Sequence, residues 1–371
     1  MPSETRQRVD RCPGALRVHP AADGGLARVR LPGGLASAGQ LRALADAASE
    51  FGDGRLELTS RANVQLRALS EPDVPTLATR LADAGLLPSA THERVRNIMA
   101  SPLAGIDRPI ELTGLAARLD AELCARPGLA ELPGRFLFGL DDGRGDIAAL
   151  GPDITVVVDS GRANVAGFEL PLADAVGAAL TLAEAFLLER SAQGSRAWRI
   201  AELDGGLVAV AARAGLGAPR TASVPAPPVR PVGRIAQADG GTALVVLAPL
   251  GRLSARQTST ITELAGKRGV RVTPWRSVVL PDVADPDRVA EALAAVGLGV
   301  DAASPWYRVS ACTGRPGCAS ALADVQADAR AQAARWPNRQ VHVSGCARHC
   351  GRPTDTEVDV TATSEGYLIS E

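Results

Sequence analysis

Residues 22–40 read ADGGLARVRLPGGLASAGQ, and residues 238–257 read ADGGTALVVLAPLGRLSARQ. The second stretch repeats the first in order. Ala22-Asp23-Gly24-Gly25 recurs as Ala238-Asp239-Gly240-Gly241, and Pro32 and Gly34 recur as Pro249 and Gly251. Ser37-Ala38 and Gln40 recur as Ser254-Ala255 and Gln257, and Arg61 aligns with Arg276 after a short deletion. Any one match could arise by chance. The same order held over about fifty residues predicts an internal duplication.

Each copy predicts strand, glycine-containing turn, helix, strand. In the first copy the strand is 26–31 and the helix 38–51, which puts Leu41, Leu44, Ala45, Ala48 and Phe51 on one face. A short apolar strand at 56–59 follows. In the second copy 243–248 is the strand, and Ile261, Leu264 and Ala265 mark the helix. Two such units predict a pseudo-twofold pair of half ferredoxin-like layers within an α+β protein. Between the copies, 74–84 predicts a helix, 154–158 a buried strand, and 172–188 an amphipathic helix with Val176, Leu180, Ala183 and Leu187 inward. A helix at 288–296 follows the second copy. Residues 217–233, GAPRTASVPAPPVRPVG, are proline-rich and predict an extended connector. The expected order is a half ferredoxin-like unit at 12–70, an α/β domain at 71–216, the linker, a second half unit at 234–286, and a second α/β domain at 287–371.

Composition narrows the function classes. The 371 residues are 46% hydrophobic and 22% charged, with a formal net charge of −1. That is ordinary for a globular protein and carries no long-range field suited to nucleic acid or acidic membranes. Lys267 is the sole lysine, which leaves arginine as the cation for bidentate capture of carboxylates. The N-terminus lacks an apolar signal region and no run reaches about 18 apolar residues, so the expectation is a cytoplasmic protein without a membrane span.

The cysteines carry the chemistry. Cys312 and Cys318 are spaced C-x5-C in SACTGRPGCAS, and Cys346 and Cys350 are spaced C-x3-C in VSGCARHCGR. Gly314, Pro316 and Gly317 predict a loop ahead of a helix from about 319 to 335. A strand at 341–343 should deliver the second pair into a turn between Gly345 and Gly351. Four thiolates on two loops could hold zinc, a [4Fe–4S] cluster or two disulfides. Zinc knuckles favour C-x2-4-C, and disulfides do not suit a reducing compartment, so iron–sulfur ligation is the favoured reading. Cys124 falls on an apolar-periodic stretch and predicts a buried small side chain. Cys12, in Cys12-Pro13-Gly14, has no assignable role from sequence.

With these motifs assembled, the chain resembles the nitrite and sulfite reductase superfamily of sirohaem and [4Fe–4S] enzymes, and within it most closely the precorrin-3B synthase branch. The resemblance rests on the two cysteine pairs, the duplication around RVRLPGG, and the segments TSRANVQL, VRNIMASP and LPGRF. It implies a nitrite/sulfite reductase-like fold whose last domain binds a [4Fe–4S] cluster through Cys312, Cys318, Cys346 and Cys350. It also implies that Arg28, Arg30, Arg61, Arg96 with Asn97 beside it, and Arg135 hold the carboxylates of a tetrapyrrole. Arg28 and Arg30, two apart, should share one strand face. Val245 and Leu247 stand at their positions in the second copy, which predicts one working site, on the first-copy side.

The resemblance further implies the branch's reaction: dioxygen-dependent hydroxylation of precorrin-3A at C20, with γ-lactone formation, in aerobic cobalamin biosynthesis. Electrons would come from NAD(P)H through a reductase or ferredoxin. A mononuclear non-haem iron is implied as well, although His19, His92, His342 and His349 show no readable two-histidine-one-carboxylate pattern. The alternative is a sirohaem-dependent nitrite or sulfite reductase. Against it, sulfite reductases carry Lys-Phe-Lys where this chain has Arg135-Phe136-Leu137, so a cation is exchanged for an apolar side chain.

Overall fold

The structure is a computed structural model and describes residues 10, 12–220 and 230–371. Most of the expected 217–233 connector, from 221 to 229, lies outside the described residues. The described residues fold into two compact bodies, each discontinuous in sequence: residues 10, 12–14, 30–35, 87–220 and 230 form the first, and residues 15–29, 36–86 and 231–371 the second.

The first body is built on a mixed five-stranded sheet. Ile98–Ala100, Phe138–Asp141 and Ile154–Asp159 run parallel, and Arg162–Val165 and Phe168–Pro171 continue as antiparallel edge strands. Its core takes Leu119 and Leu123 from the helix Thr113–Cys124, and Val176, Leu180 and Phe186 from the helix Ala175–Ala192. Phe136 meets Phe138 edge-on at 5.2 Å and Phe186 at 5.0 Å between ring centroids. The helix expected from residue 172 opens with a 3-10 turn, Leu172–Asp174, and then buries residues around much of its circumference; Leu187 is only half-buried.

The second body contains the duplicated ferredoxin-like halves. In the first copy His19–Ala21, Gly24–Val29, Val64–Leu69 and Arg55–Leu58 pair in that spatial order. In the second, Gly233–Ala236, Thr242–Leu247, Ser277–Leu280 and Val270–Val272 do the same. Each copy then lends a short edge strand to the other's sheet. Arg252–Ser254 pairs antiparallel with Arg55–Leu58, and Leu35–Ala36 closes the edge beside Val270–Val272. The helices Ala38–Phe51 and Ala255–Leu264 pack against each other across this exchange.

The repeat is reproduced at the level of single hydrogen bonds. Ser37 accepts from the Gln40 backbone N at 3.1 Å while the Gln40 side chain accepts from Ser37 N at 3.0 Å, a reciprocal capping box. Ser254 and Gln257 repeat it at 3.3 and 2.9 Å. Both glutamines use their remaining amide to tie down the end of the following helix, Gln40 at the Ala84 carbonyl (3.3 Å) and Gln257 at Val296 (3.1 Å). These bonds give the sequence matches at 37, 40, 254 and 257 their physical cause.

One equivalence shifts. Thr59 Oγ1 accepts from the backbone of Arg61 (3.3 Å) and Asn63 (3.0 Å), and Thr273 Oγ1 accepts from Trp275 (3.2 Å) and Ser277 (3.3 Å). The left-handed residue of each turn is Ala62 (φ 55°) in the first copy and Arg276 (φ 61°) in the second. Arg276 therefore matches Ala62, and Arg61 matches Trp275. Matching the two arginines by residue type makes the deletion after Gln40 one residue shorter than the turn geometry requires.

The cysteine-bearing part of the second body is a four-stranded sheet, Val309–Ala311, Val341–Ser344, Val358–Thr363 and Gly366–Ser370, with the first three parallel. The helix expected from residue 319 begins at Val325, capped by Asp324, which accepts from Ala327 N at 3.1 Å. Residues 318–324 instead form turns docked on the other cysteine loop: Leu322 N donates to the Gly345 carbonyl at 2.8 Å. No helix among the described residues is long and apolar enough to cross a membrane.

Candidate functional site

Parallel strands bring the cysteine pairs together. Val309–Ala311 ends at Cys312 and Val341–Ser344 runs beside it toward Cys346, so both loops leave the same end of the sheet. The loops interlock: Gly345 N donates to Cys312 Sγ at 3.1 Å, and a Cβ at Gly345 would meet Ala321 Cβ at 2.7 Å. The cysteines are unpaired thiols. Burial raises the Cys350 pKa, and the nearby thiols of Cys312, Cys346 and Cys318 raise it further, so all four sulfurs share one electrostatic neighbourhood.

Spacing separates the metals. Among the described residues, the set of three or more ligating atoms lying within 4.8 Å of one another is Asp141, Asp142 and Asp146, and no three cysteine sulfurs are that close. Zinc, at a Zn–S distance of about 2.3 Å, would hold thiolates about 3.8 Å apart. The four sulfurs are set wider than a zinc site requires. His342 is fully buried, its Nδ1 engages Ser310 Oγ at 2.9 Å, and its Nε2 has no hydrogen-bond partner. The ring lies against the Cys350 backbone in a hydrogen-bonding contact too loose to count as a full bond, so this histidine braces the second cysteine loop. Burial first, and the Arg276 charge second, push this imidazole down to about 4, so it is neutral at neutral pH.

The acidic trio does not offer a second metal centre. Asp141 accepts four backbone N–H bonds, from Gly143, Gly145, Ile147 and Ala148, at 2.9–3.0 Å. Asp142 is paired with Arg144, and Asp146 accepts from Ser101 Oγ at 2.5 Å. Nor do His342, His349 and Asp359 make a two-histidine-one-carboxylate iron site. His342 and Asp359 are register partners on adjacent strands and His349 Nδ1 is 3.6 Å from Asp359, but the three do not converge within 4.8 Å. Asp359 is also held by Arg352 at 2.8 and 2.9 Å.

Beside the tetrad the second body has a cavity of about 290 Å³. Cys312, Thr313, Gln326, Cys350 and Gly351 form one wall, and Arg28, Glu57, Gln65, Arg252 and Arg276 line the rest. The sheet wall carries a polar row one residue deep. Arg28 pairs in register with Gln65, Gln65 with Glu57, and Glu57 with Arg252, across four adjacent strands. Side-chain bonds follow the register. Arg28 Nε donates to Gln65 Oε1 at 2.9 Å, Gln65 Nε2 donates to Glu57 Oε2 at 3.0 Å, and Arg252 donates to Glu57 Oε1. In the second copy the corresponding register pair is Val245 and Val279, so the polar row is peculiar to the first sheet.

Of the sequence-derived arginines, Arg28 lines this cavity, and Arg61 sits in the turn whose Thr59 and Ser60 line it. The others belong to the first body. The strand Gly24–Val29 ends before Arg30, so the two-residue alternation does not reach it. Arg30 is 2% exposed and donates to the carbonyls of Arg94 (3.1 Å) and Pro13 (3.3 Å). Arg96 makes a bidentate bond to Asp120, both contacts at 2.7 Å. Asn97 spends its amide on the carbonyls of Arg94, Gly134 and Phe136. Arg135 is exposed and lies over Trp198 at 5.4 Å. Cys12 acquires a role here: its thiol donates to Gly134 O at 3.2 Å and tethers the N-terminal segment to the LPGRF loop. Cys124 ends its helix half-buried, and burial raises its pKa.

Sequence reasoning missed Glu57, Gln65, Arg252 and Arg276 at the cavity. Glu57 could have been flagged as a charge between leucines on an apolar strand, and Gln65 lies inside the quoted TSRANVQL segment. Arg252 carried no such signal, because only the strand exchange brings it to Glu57.

The sequence pattern of the nitrite/sulfite reductase ferredoxin-like half domain matches residues 19–84 and 235–296, the two duplicated units. The chain is also similar to a precorrin-3B synthase from Sinorhizobium sp., with 29% identity over 96% of this chain and 81% of that protein. A ferredoxin sulfite reductase from Mycobacterium tuberculosis is 26% identical over 88% of this chain and 67% of its own length. The solved structure of the Mycobacterium tuberculosis NirA protein superposes with a TM-score of 0.76 at 22% identity, covering 93% of this chain and 73% of that one, and so shares the fold.

Proposed function

We propose that the chain is a precorrin-3B synthase-type monooxygenase that hydroxylates precorrin-3A at C20 with dioxygen, the ring A acetate closing a γ-lactone. The observation that carries this reading is a cavity with two tetrad cysteines, Cys312 and Cys350, on one wall and Arg28, Arg252 and Arg276 on the others. A polycarboxylate macrocycle needs cations of that kind, and arginine supplies them in bidentate form.

In this reading Cys312, Cys318, Cys346 and Cys350 hold a [4Fe–4S] cluster, which when bound supplies one-electron transfer. The chain's own residues do the rest of the binding. Arg28 and Arg61 take substrate carboxylates, and Gln65 and Glu57 fix the plane of the Arg28 guanidinium. Gly351 (φ 77°) keeps the cysteine loop open beside Arg276, whose Nη2 a Cβ there would meet at 3.0 Å. One oxygen atom of O2 enters the substrate. The other leaves as water after taking two protons from solvent and two electrons that come from NAD(P)H through a reductase or ferredoxin.

The alternative, a sirohaem-dependent nitrite or sulfite reductase, requires a second cation at residue 137. Leu137 is 3% exposed and packs against Met99 and Ile147, an apolar setting that favours the monooxygenase. Anaerobically purified protein is expected to contain iron and acid-labile sulfide without a haem-type band. It should also convert precorrin-3A under isotopically labelled dioxygen to a product carrying one labelled oxygen. A sirohaem spectrum with turnover of nitrite or sulfite would replace this reading by the alternative.

A further inference from the structure

The first ferredoxin-like copy reaches into the cysteine loop through a buried ion pair. Arg67, on the strand Val64–Leu69, donates from Nε and Nη2 to the two carboxylate oxygens of Asp23, at 3.0 and 2.9 Å. The same Nη2 donates to the Gly317 carbonyl at 2.7 Å, and Gly317 immediately precedes Cys318. The Arg67 side chain is 5% exposed and that of Asp23 15%. Gly317 is as closely fitted as the pair is buried. A Cβ there would come within 2.7 Å of Arg67 Nη2 and of Thr313 Cγ2, and within 3.0 Å of Asp23 Oδ2.

The second copy has no such arm. Ala27 pairs with Leu66 and Leu244 with Leu280, so the residue matching Arg67 is Pro281, which has no cation to offer. Asp239, which matches Asp23, turns onto its own loop and accepts from Gly241 N at 2.9 Å and Gln237 Nε2 at 3.2 Å. The aspartate turn is common to both copies, while its use as a bracket for the cysteine loop is confined to the first.

We propose that Arg67 and Asp23 are positioning residues for Cys318: the pair holds the Gly317 carbonyl, and through it the C-x5-C loop, in the conformation that presents this thiol to the tetrad. The inference rests on reading the four cysteines as ligands of one cluster. A bracket of this kind organises the loop before any metal arrives, so the metal-free chain shows it too. Without the bracket the loop gains access to conformations in which Cys318 swings into solvent.

The test compares the full-length wild type with Arg67→Met and Asp23→Asn, and uses Arg80→Met, in the exposed Arg80–Glu50 pair, as a control. Alkylation rates at each cysteine of the chelator-stripped chain are read by mass spectrometry, alongside iron and sulfide content before stripping. Both bracket variants are expected to alkylate Cys318 about tenfold faster, the size expected when a buried charge-assisted bond is lost, with Cys346 and Cys350 within about twofold of wild type. Their iron and sulfide content should fall, and Arg80→Met should match the wild type. A Cys318 rate within about twofold of wild type in either variant overturns the proposal. Equal acceleration at all four tetrad cysteines also overturns it, because that would make the pair a general contributor to stability. Wild-type protein lacking iron and sulfide would remove the cluster reading while leaving the alkylation comparison intact.

Discussion

The polar row across the first sheet allows a swap experiment whose outcome follows from counting donors and acceptors. Gln65 faces Arg28 with its oxygen and Glu57 with its amide, and Glu57 faces Arg252 with its second oxygen. In Glu57→Gln the new amide must meet a donor on one side. If its oxygen stays on Arg252, two NH2 groups confront each other at residue 65. Flipping Gln65 moves the conflict to Arg28. In Gln65→Glu two carboxylates meet with no proton between them. Glu57 is 8% exposed, so water from the cavity repairs either defect only in part, and a hydrogen bond to a charged partner in such a place is worth about 1.5–3 kcal/mol. Each single variant is expected to lose about 2 kcal/mol. The double variant Glu57→Gln/Gln65→Glu restores every bond of the row and gives up only the longer ion pair of Glu57 with Arg67, at 3.9 Å. The carboxylate now at position 65 accepts from Arg28 and from the amide now at position 57, and the oxygen of that amide accepts from Arg252. It should lie within about 1 kcal/mol of wild type, a coupling of about 3 kcal/mol. Urea unfolding followed by tryptophan fluorescence reads this well, because Trp275, Trp306 and Trp336 are in the second body. Additive losses in the double variant would refute the row as an ordered, directional chain.

Three further outcomes are expected in the same assay. Burial, with the charges of Asp141 and Asp142 adding to it, pushes Asp146 up to about 6 from 3.8, so the folded state holds its proton more tightly than the unfolded chain. The stability from this group is therefore full below about pH 4 and lost as pH rises through 6, leaving a cost of roughly 3 kcal/mol at neutral pH. Asp146→Asn, which can still accept from Ser101, should raise the urea midpoint at about pH 7.5 and leave it unchanged near pH 4; a lower midpoint at pH 7.5 would contradict this. Arg96→Met strands the partly buried Asp120 carboxylate and should cost about 3 kcal/mol, with Arg96→Met/Asp120→Leu recovering part of it; no loss in the single variant would show the pair to be idle. Ser37→Ala and Ser254→Ala each remove one arm of a capping box and should each cost about 1 kcal/mol, a markedly unequal pair of losses counting against equivalence of the two copies.

What could be read from the chain alone is what short windows encode. The helix Ala38–Phe51 was legible to the residue because its apolar period and its Ser37/Gln40 cap lie within one stretch. The duplication was legible because two copies of one unit keep the same turn and cap residues. The two cysteine loops were legible because C-x5-C and C-x3-C are local spacings on glycine-opened loops, and the structure sets them side by side. The helix after Cys318 was placed too early for a related reason: propensity favoured a start at residue 319, and docking of residues 318–324 on Gly345 took precedence.

Tertiary structure decided the partners. Arg67 reaches Gly317 across 250 residues, and Arg252 reaches Glu57 across 195, through bonds that no periodicity or motif announces. Both depend on strand register, and the second also on an exchange of edge strands, which are settled by burying whole faces at once. The same global packing commits Arg30, Arg96 and Asn97 to brace the first body and sets Arg276 beside the cysteine loop. A side chain's type is a local fact. The group it meets is fixed only when the backbone has closed, because the energy of a buried charge depends on every neighbour that replaces its water.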